Sequence, residues 1–338
     1  MKKLYKFILK ILPKQWHSLI SVLLIELKIK PTVNKRVKSP LSKGVVIFSA
    51  DFEMAWAFRF SKTNREMAEQ KGLKERENIP KLLALFDKYR ISVTWAVVGH
   101  LFLKDCKRDQ NGIAHNDMPK PEYFENHTWQ FNSGDWYEHD PCTNVETDHA
   151  WYAPDLIEQI ICSKIDHEIG CHTFSHLDFS YKNCPKVVAD AELCACVTLA
   201  EKEGIQMRSF VFPGGTFGNY ESLKENRFLC YRKPMSYHID LPYKDSYGLI
   251  AIPSSLGLDK DPYGWSKDFH LKMIRKFLEK TIQNKLVCHF WFHPSMDKWY
   301  LENIMPEVVR MVGDFRDKGN LRVLTMGALA EEFASKII

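Results

Sequence analysis

Short apolar runs alternate with longer segments of helical periodicity along most of this sequence, and no other feature constrains the fold as strongly. Val45–Phe48 is one such run, and it ends at the polar residues Ser49 and Asp51. An uninterrupted apolar run is typical of a strand that is buried on both faces of a parallel sheet. The alternation therefore predicts an α/β domain built on a parallel sheet or barrel.

The periodicity also places the individual elements along the chain. The predicted strands are Val45–Phe48, Ile91–Val98, Glu168–Gly170, Ser209–Pro213, Val287–Phe292 and Leu321–Leu324. The predicted helices are Ile79–Tyr89, Leu156–Ile161, Val187–Glu203, Leu271–Gln283 and Ile304–Asp317.

One segment of about 50 residues, Lys104–Tyr152, breaks this rhythm and has no clear periodicity. It is too long for an ordinary connection between elements, so we predict a functional loop region that is inserted into the domain. Several imidazole and indole side chains lie in it. They are His115, His127, His139, His149, Trp129, Trp136 and Trp151.

The charge is concentrated at the N-terminus. Residues 1–43 contain 11 Lys and Arg side chains and one acid, Glu26, whereas the whole chain carries only +5. Apolar residues at helical spacing between lysines, over Leu4–Leu12, predict a basic amphipathic helix that lies on an anionic membrane surface. A helix packed on the body and a solvated tail are the alternatives. The charge is accompanied by no nucleic-acid-binding motif, so no nucleic-acid partner is expected.

The same region does not read as a membrane span or a signal peptide. Its longest uncharged run, Gln15–Ile25, has 11 residues, and a spanning helix needs roughly 20. No small-residue cleavage site follows it. The nine cysteines are scattered without a C-x-x-C motif. We therefore expect reduced cysteines and a cytoplasmic protein, with residues 1–43 as a peripheral contact to the inner face of the membrane.

The most specific chemical signal is the segment His172–His176, which begins and ends with histidine. On a helical turn, two histidines four residues apart present both imidazoles to one side, and this spacing chelates a divalent metal ion. The glutamate of an H-E-x-x-H motif is missing, which disfavours a zinc protease. Two unrelated polar residues are the alternative interpretation.

Two carboxylates, Asp51 and Glu53, follow the first predicted strand. Active sites of α/β sheets and barrels lie at such strand ends. One carboxylate can ligate a metal ion while the other accepts a proton from water, and their spacing alone leaves the two roles interchangeable. A helix N-cap followed by a first-turn acid would give the same pattern.

Further candidates follow two later strands. His293 comes at the end of the predicted strand Val287–Phe292, where an imidazole is suited to protonate a leaving amine, to act as a third metal ligand, or to be a plain loop histidine. His289 lies deeper in that strand and is expected to be a core or supporting residue. Gly214 and Gly215 let backbone amides approach a ligand and stabilise an oxyanion, although a plain turn shows the same residues.

Taken in this order, the motifs resemble those of the polysaccharide deacetylase family with the NodB homology domain, carbohydrate esterase family 4. The resemblance covers roughly Gly44–Phe333. His172–His176 matches the family's H-[S/T]-x-x-H metal motif in full, and Asp51 falls on the first Asp of its T-F-D-D-G motif, the general base. Phe52 stands where the second Asp, a metal ligand, would be, and Glu53 resembles its replacement in branches with a D-x-[D/E] pattern.

Two later motifs depart from the family pattern. The segment from Val211 resembles R-x-P-[Y/F]-G, but Val211 replaces the Arg and Gly214 replaces the residue whose amide helps to form the oxyanion hole. Arg232, in the next motif, is expected to supply the missing guanidinium. His293 resembles the histidine of the last motif, the general acid.

The resemblance implies a distorted (β/α)7 barrel over residues 44–338, with an insertion at about 104–152, that removes acetyl groups from N-acetylated sugars. His172, His176 and Glu53 would hold a divalent metal ion, Zn²⁺ first and Co²⁺, Ni²⁺ or Mn²⁺ as alternatives. Asp51 would act as the base and His293 as the acid. The tryptophans of the insertion would stack on sugar faces or belong to the core.

The branch that the sequence resembles most is found in bacterial surface-polysaccharide and lipopolysaccharide gene clusters. Two other functions stay open at this point. The same scaffold also carries hydrolases of cyclic amides or ureides that lack the metal. The barrel could alternatively have kept sugar binding and lost catalysis, since Phe52 and Val211 replace family residues.

Overall fold

Strand β1, Gly44–Phe52, is the centre of the sheet, and every one of its residues is buried. It pairs in parallel with β7 along Val45–Ala50 and with β2 along Ser49–Phe52. A barrel strand with neighbours on both sides, helices on its outer face and the packed interior on its inner face buries all of its side chains, which explains the uninterrupted apolar run in the sequence.

In the described part of the chain, seven parallel strands follow one another around the fold. They are β1 (Gly44–Phe52), β2 (Thr94–Val97), β3 (Glu168–Cys171), β4 (Ser209–Phe210), β5 (Cys230–Lys233), β6 (Ile250–Pro253) and β7 (Val287–Phe292). Their spatial order is the same as their order in the sequence. Sequential order with parallel pairing is the arrangement of a β/α barrel.

The ring is closed by the segment that continues β6. Ile250–Pro253 pairs with β5, and the next short strand, Leu256–Gly257, pairs with β7. At the transition, the Ser254 amide donates to the Lys233 carbonyl at 2.8 Å, and the Ser255 amide donates to the His289 carbonyl at 2.7 Å. One strand therefore changes partner midway, which gives a distorted (β/α)7 barrel and confirms the predicted fold class.

Helices surround this ring. They are α1 (Ala68–Tyr89), α2 (Pro154–Ile161), α3 (Lys186–Lys202), α4 (Tyr220–Glu225), α5 (Lys267–Asn284), α6 (Lys298–Asn303), α7 (Met305–Asp317) and α8 (Met326–Ala334). A strand β8 (Leu321–Val323) adds to the first half of β1. The remaining short strands are Thr32–Val33, Phe124–Glu125, Gln130–Phe131, His238–Ile239 and Tyr243–Lys244.

Aromatic side chains form much of the core between the ring and α1. The Phe48 ring lies 6.0 Å from that of Phe86 on α1 and 5.5 Å from that of Phe290 on β7. All three side chains are fully buried. Burial of one such side chain contributes about 1.5–3 kcal/mol, so this contact ties α1 firmly to the sheet.

Some predicted boundaries were wrong. The strand predicted over Ile91–Val98 is limited to Thr94–Val97. Strands β5 and β6 were not predicted, because each has only four residues and β5 contains two cationic side chains. Helix α1 begins at Ala68, 11 residues before the predicted Ile79, because its first half buries Glu75 and Asn78, whose polarity breaks the apolar pattern.

The insertion contains one short hairpin, Phe124–Glu125 paired with Gln130–Phe131, and otherwise consists of turns. Trp136 and Trp151 are core residues, with 2% and 5% of their surface exposed. Trp136 stacks on Phe60 at 4.8 Å. Trp129 is equally buried, with 4% of its surface exposed, but its ring also lines the large cavity described below.

The structure, a computed structural model, describes residues 20, 23, 30–34, 39–259 and 265–335. The amphipathic helix predicted for Leu4–Leu12 lies outside the described residues. Within the basic segment, Thr32–Val33 pairs in parallel with His238–Ile239 of the barrel. None of the helices in the described ranges combines the length and the apolar character that crossing a membrane requires.

Candidate active site

A cavity of about 800 Å³ opens at the carboxyl ends of the barrel strands. Residues that follow β1, β3 and β7 lie at its floor or walls, as expected for a parallel barrel. Six of the seven predicted site residues line it, and the seventh, His172, is buried next to it. The lining residues among them are Asp51, Glu53, His176, Gly214, Arg232 and His293.

Glu53, His172 and His176, which we call the rim cluster, converge on one point. The Nε2 atoms of His172 and His176 lie 3.2 and 2.8 Å from the same oxygen, Oε2 of Glu53. All three side chains are at least 95% buried. Three candidate ligand atoms, from the segments after β1 and after β3, thus meet at one point, and no Lys or Arg among the described residues is in ion-pair contact with Glu53.

The two histidines do not lie on a helical turn, contrary to the prediction. Residues 172–176 form a loop after β3, and Thr173 and His176 have φ angles of 60° and 56°. Backbone hydrogen bonds hold this loop against the segment after β2, from the Gly99 amide to Thr173 and from the His100 amide to Phe174. Two left-handed residues turn both imidazoles to one side, which a regular helix would do by its period.

The tautomer that a neutral His172 ring adopts follows from the partner of its other nitrogen. Nδ1 lies 2.8 Å from the Val211 carbonyl, which can only accept, so Nδ1 carries a proton. In the neutral ring, the lone pair on Nε2 then points at the Glu53 carboxylate. Two electron pairs face each other at 3.2 Å, an arrangement that a cation between them would stabilise.

The rim cluster therefore fits a divalent metal ion. The two imidazole nitrogens and the carboxylate oxygen lie within 4.8 Å of one another. Three protein ligands beside a cavity are the usual arrangement of a catalytic zinc site, in which further positions stay open. Glu53 opposes two imidazoles, and despite the effect of burial, His176 and His293 hold its pKa well below the usual range.

Asp51 is paired with Arg232 rather than with the histidines. The guanidinium donates to both carboxylate oxygens, at 2.5 and 2.6 Å, and also to Ser49 Oγ at 3.0 Å. Burial alone would raise the pKa of Asp51, but the charge and hydrogen bonds of Arg232 outweigh it and lower the pKa. Asp51 is thus held ionised at the cavity wall by a guanidinium from β5.

His289 supports this pair, as expected for a histidine deep in β7. It is fully buried, and its Nε2 lies 2.8 Å from Ser49 Oγ. Burial and the Arg232 charge lower its pKa well below the usual range, so the ring is neutral. Ser49 therefore links His289 to Arg232.

His293 forms a second polar pair, with Asp259. Its Nδ1 lies 2.5 Å from Asp259 Oδ2, and its Nε2 lies 3.3 Å from Glu53 Oε1 and 3.8 Å from Asp51 Oδ2. Burial lowers the pKa of His293, but the surrounding carboxylates, Glu53 first, raise it to about 10. Since 30% of this side chain stays exposed, a protonated imidazole faces the cavity.

Gly214 lies in the short 3-10 turn Pro213–Gly215 after β4. Its φ of 55° favours glycine, and a Cβ atom there would come within 2.7 Å of the Trp129 ring. Trp129 also packs edge-on against the His176 ring at 5.1 Å. A side chain at position 214 would therefore push the indole, which spans the gap between this turn and the rim cluster.

Two polar residues of α1 were missed by the sequence analysis, and both hold rim loops. Glu75 Oε2 accepts from the backbone amides of Glu53 and Met54, at 3.2 and 3.0 Å. Asn78 donates to the carbonyl of Pro294 at 2.8 Å, just after His293. What marks both residues as candidates is that they are polar and yet buried within a helix. Their burial is known only once the position of the helix on the barrel is known. Asp259, likewise missed, lies in a segment without any periodic pattern.

Residues 69–232 match the family model described as polysaccharide deacetylase. A structure described as a putative polysaccharide deacetylase from Mycobacterium smegmatis is 15% identical, covers 91% of this chain and 96% of its own, and has a TM-score of 0.61. This likeness shows the fold. Comparison with curated proteins found no match to the sequence.

Two further solved structures have TM-scores below 0.5, and no conclusion is drawn from them. One is a CE4 family pseudoenzyme from Bacillus anthracis, 10% identical, covering 89% of this chain and 69% of its own, with a TM-score of 0.41. The other is a mutant of the peptidoglycan deacetylase PdaC from Bacillus subtilis, 12% identical, covering 87% and 94%, with a TM-score of 0.42.

Proposed function

Since residues 69–232 match the polysaccharide deacetylase family and the chain has the fold of such proteins, we propose that it is a metal-dependent hydrolase that removes an acetyl group from an N-acetylated sugar. The single observation that carries the proposal is the rim cluster at the border of the cavity. Its two imidazoles and one carboxylate lie beside two ion pairs, Asp51–Arg232 and His293–Asp259. The first pair contains a candidate proton acceptor, Asp51, and the second a candidate proton donor, His293.

The ligand assignment follows from which residues are near one another. Glu53 lies with His172 and His176, whereas Asp51 is occupied on both oxygens by Arg232. This supports Glu53 as the ligand and Asp51 as the base. A divalent ion bound by the three residues supplies Lewis-acid stabilisation of the scissile carbonyl and activation of water, and zinc suits this mixed nitrogen and oxygen set.

Asp51 and His293 are then suited to move the protons. Asp51 is ionised and can accept the proton of the attacking water, and Arg232 keeps it oriented. His293 is protonated and can donate to the departing sugar nitrogen from Nε2, because Asp259 binds the proton at Nδ1. The two side chains approach to 3.8 Å, so one reacting centre is within reach of both.

Gly214 is proposed to stabilise the oxyanion through its backbone amide. Its turn lines the cavity, and the left-handed conformation exposes the backbone there without a side chain. Trp291, half-buried on the cavity wall, provides an apolar face of the kind that packs against sugar rings, whereas Trp129 lines the same wall but is almost completely buried. A cavity of about 800 Å³ lies within the range of about 300–1,000 Å³ for small-ligand sites.

The biological setting is part of the proposal. We propose that the substrate belongs to bacterial surface-glycan biosynthesis, as in the lipopolysaccharide branch that the motifs resemble, and that the protein is cytoplasmic. The basic residues 1–43 would bring the barrel to the inner face of the membrane. Deletion of residues 1–29, which keeps the strand Thr32–Val33 and the buried Leu41 in place, is then expected to reduce liposome binding and to spare turnover of a soluble sugar.

The test of the reaction is mass spectrometry on the zinc-loaded protein. Candidate N-acetylated sugar nucleotides, lipid-linked glycans and oligosaccharides are incubated with it, and the loss of an acetyl mass is measured together with free acetate. We expect Asp51→Asn to lower the rate by about 10²–10⁴-fold. Glu77→Gln, an exposed carboxylate change on α1, is the control and should leave the rate unchanged.

Two outcomes would contradict the proposal. Acetate release that survives complete metal removal would contradict the metal dependence, and hydrolysis of a cyclic amide or ureide by the metal-free protein in place of acetate release would favour that alternative function. Sugar binding without any acetate release, in wild type and Asp51→Asn alike, would favour a binding barrel that has lost catalysis.

A further inference from the structure

A second cluster of metal-ligating side chains lies outside the cavity. His100, Cys106, His115 and Asp140, which we call the insertion cluster, bring two imidazole nitrogens, one sulfur and one carboxylate oxygen within 4.8 Å of one another. His100 follows β2, in the 3-10 helix Gly99–Phe102, and the other three residues belong to the inserted segment. The cluster thus joins the insertion to the barrel.

One carboxylate oxygen of Asp140 lies close to all three of the other candidate ligand atoms. Oδ2 of Asp140 lies 3.0 Å from Nε2 of His100, 2.8 Å from Nε2 of His115 and 3.4 Å from Sγ of Cys106. Around a tetrahedral zinc ion, neighbouring donor atoms are separated by about 3.3–3.8 Å. Oδ2 of Asp140 therefore needs to move only a few tenths of an ångström away from the two imidazole nitrogens to reach these separations.

The other oxygen of Asp140 is already committed to the protein. Oδ1 accepts from the Cys142 amide at 2.9 Å and from the Tyr152 hydroxyl at 3.2 Å. These bonds fix the carboxylate so that Oδ2 faces the two imidazoles and the thiol. A carboxylate held through one oxygen and presented through the other is typical of a metal ligand with supporting hydrogen bonds.

Burial and charge also indicate a missing cation. The side chains of His100 and Asp140 have no exposed surface. Within the described ranges, Asp140 has no Lys or Arg in ion-pair contact, and neither ring nitrogen of His100 has a hydrogen bond of normal geometry. A fully buried imidazole without a hydrogen bond of normal geometry is unfavourable, and a divalent ion bound at its Nε2 would satisfy it.

We propose that His100, Cys106, His115 and Asp140 bind one zinc ion as a structural site. Four protein ligands in an enclosed position leave no open coordination place for a substrate. The ion would fasten the insertion to the segment after β2. That segment in turn holds the loop of the rim cluster, because the His100 amide donates to the Phe174 carbonyl at 2.9 Å.

The test is zinc content of the full chain, purified with zinc and dialysed against zinc-free buffer. We expect about two zinc ions per chain in wild type and about one in His115→Ala. His149→Ala, an exposed histidine of the same insertion, is the matched control and should keep both. Full zinc content in His115→Ala, measured on folded protein, would overturn the proposal.

The variant His176→Ala separates this site from the rim cluster. If it loses one ion and His115→Ala loses another, both sites exist. If wild type holds a single ion that His176→Ala alone removes, the insertion cluster is a metal-free hydrogen-bonded network and the proposal is wrong. If the single ion is removed by His115→Ala alone, the proposal stands and the metal dependence of the proposed function fails.

A second measurement has its first readout in the wild-type protein itself. Cobalt substituted for zinc shows a sulfur-to-metal charge-transfer band only when a thiolate is a ligand, and the rim cluster contains none. We expect this band in cobalt-loaded wild type and in Cys162→Ser, an exposed cysteine change. Its absence from wild type, or its persistence in Cys106→Ser, would contradict the site.

Discussion

The rim cluster and the insertion cluster use similar ligands but differ in their surroundings. Glu53, His172 and His176 border a cavity of about 800 Å³, with Asp51 and His293 beside them. The insertion cluster adds a fourth ligand, and the side chains of His100 and Asp140 are sealed from solvent. Ligand number and access, more than ligand type, therefore distinguish a candidate catalytic site from a candidate structural one.

The two clusters also differ in how the chain supports them. The rim cluster takes its ligands from the ends of barrel strands, and α1 holds its backbone through Glu75. The insertion cluster takes three ligands from turns that have little regular structure of their own. A barrel positions a site through its sheet, whereas a long irregular segment gains its order from the bonds made within it.

The largest expected effect is that a substitution in the rim cluster lowers activity, whereas a substitution in the insertion cluster lowers thermal stability. Glu53→Gln keeps the shape of the side chain but removes its charge, and we expect acetate release to fall on the order of a thousandfold with little change in the melting temperature. His115→Ala should do the reverse, lowering the melting temperature by several degrees and sparing most activity. Acetate assays and thermal unfolding of both variants check this, and equal losses of activity would remove the distinction.

The next effect concerns Arg232, which keeps Asp51 ionised. Arg232→Gln removes the charge that lowers the Asp51 pKa, and burial then raises it. Because the base must be ionised, the acidic limb of the rate profile should move to higher pH, with about a 10–100-fold loss at neutral pH. Arg232→Lys retains the charge and should shift the limb less. An unmoved limb in Arg232→Gln would contradict Asp51 as the base.

A smaller effect is expected at Asp259, which helps to raise the His293 pKa to about 10. Asp259→Asn keeps a polar partner but loses the charge, so the His293 pKa falls. The acid form is then lost earlier as pH increases, and the basic limb of the rate profile moves to lower pH. Asp297→Asn, an exposed change at the same cavity, should leave the limb in place. A shift in the opposite direction would exclude His293 as the acid.

The smallest effect tests the support behind the rim cluster. Burial raises the Glu75 pKa to about 8, so the folded protein holds a proton that the unfolded chain releases near 4.5. Glu75 therefore favours the folded state fully below pH 4.5, and this contribution is lost as pH rises to about 8. The Gln side chain of Glu75→Gln stays neutral at every pH. At pH 9 this variant should therefore unfold at a higher temperature than wild type, and its free energy of unfolding should be larger by on the order of a few kcal/mol.

Thermal unfolding at pH 6 and pH 9, at equal metal content, measures this. Glu77→Gln, an exposed change on the same helix, should follow wild type at both values. A parallel decline of Glu75→Gln and wild type between the two would show that Glu75 is ionised in the folded protein.

Much of the fold could be predicted because buried strands leave a local signal. β1 and β7 read as apolar runs. β7 has both of its predicted ends, and β1 begins one residue before its predicted start and ends four residues after its predicted end. β5 and the first half of α1 were missed because they bury polar residues, which leave no such apolar signal. Arg232, Glu75 and Asn78 are buried polar residues whose partners come from distant segments, so local hydrophobicity cannot indicate their burial.

The candidate site shows the same limit. His172, His176, Asp51 and His293 were proposed from motifs, and the structure places them at one cavity. Asp259 belongs to no recognisable pattern, and neither does Asp140, which lies 40 residues from His100. Such a residue becomes a candidate only when its neighbour in space is known.

By itself, the sequence determined the α/β alternation and the residue types available for chemistry, because both are properties of neighbouring positions. Only the tertiary structure decided how those residues combine. It turned His172–His176 into a left-handed loop instead of a helical turn, paired Asp51 with Arg232 from β5, and joined His100 to Asp140 across the insertion. Ligation and pKa depend on distances through space, and these distances exist only after the barrel has closed.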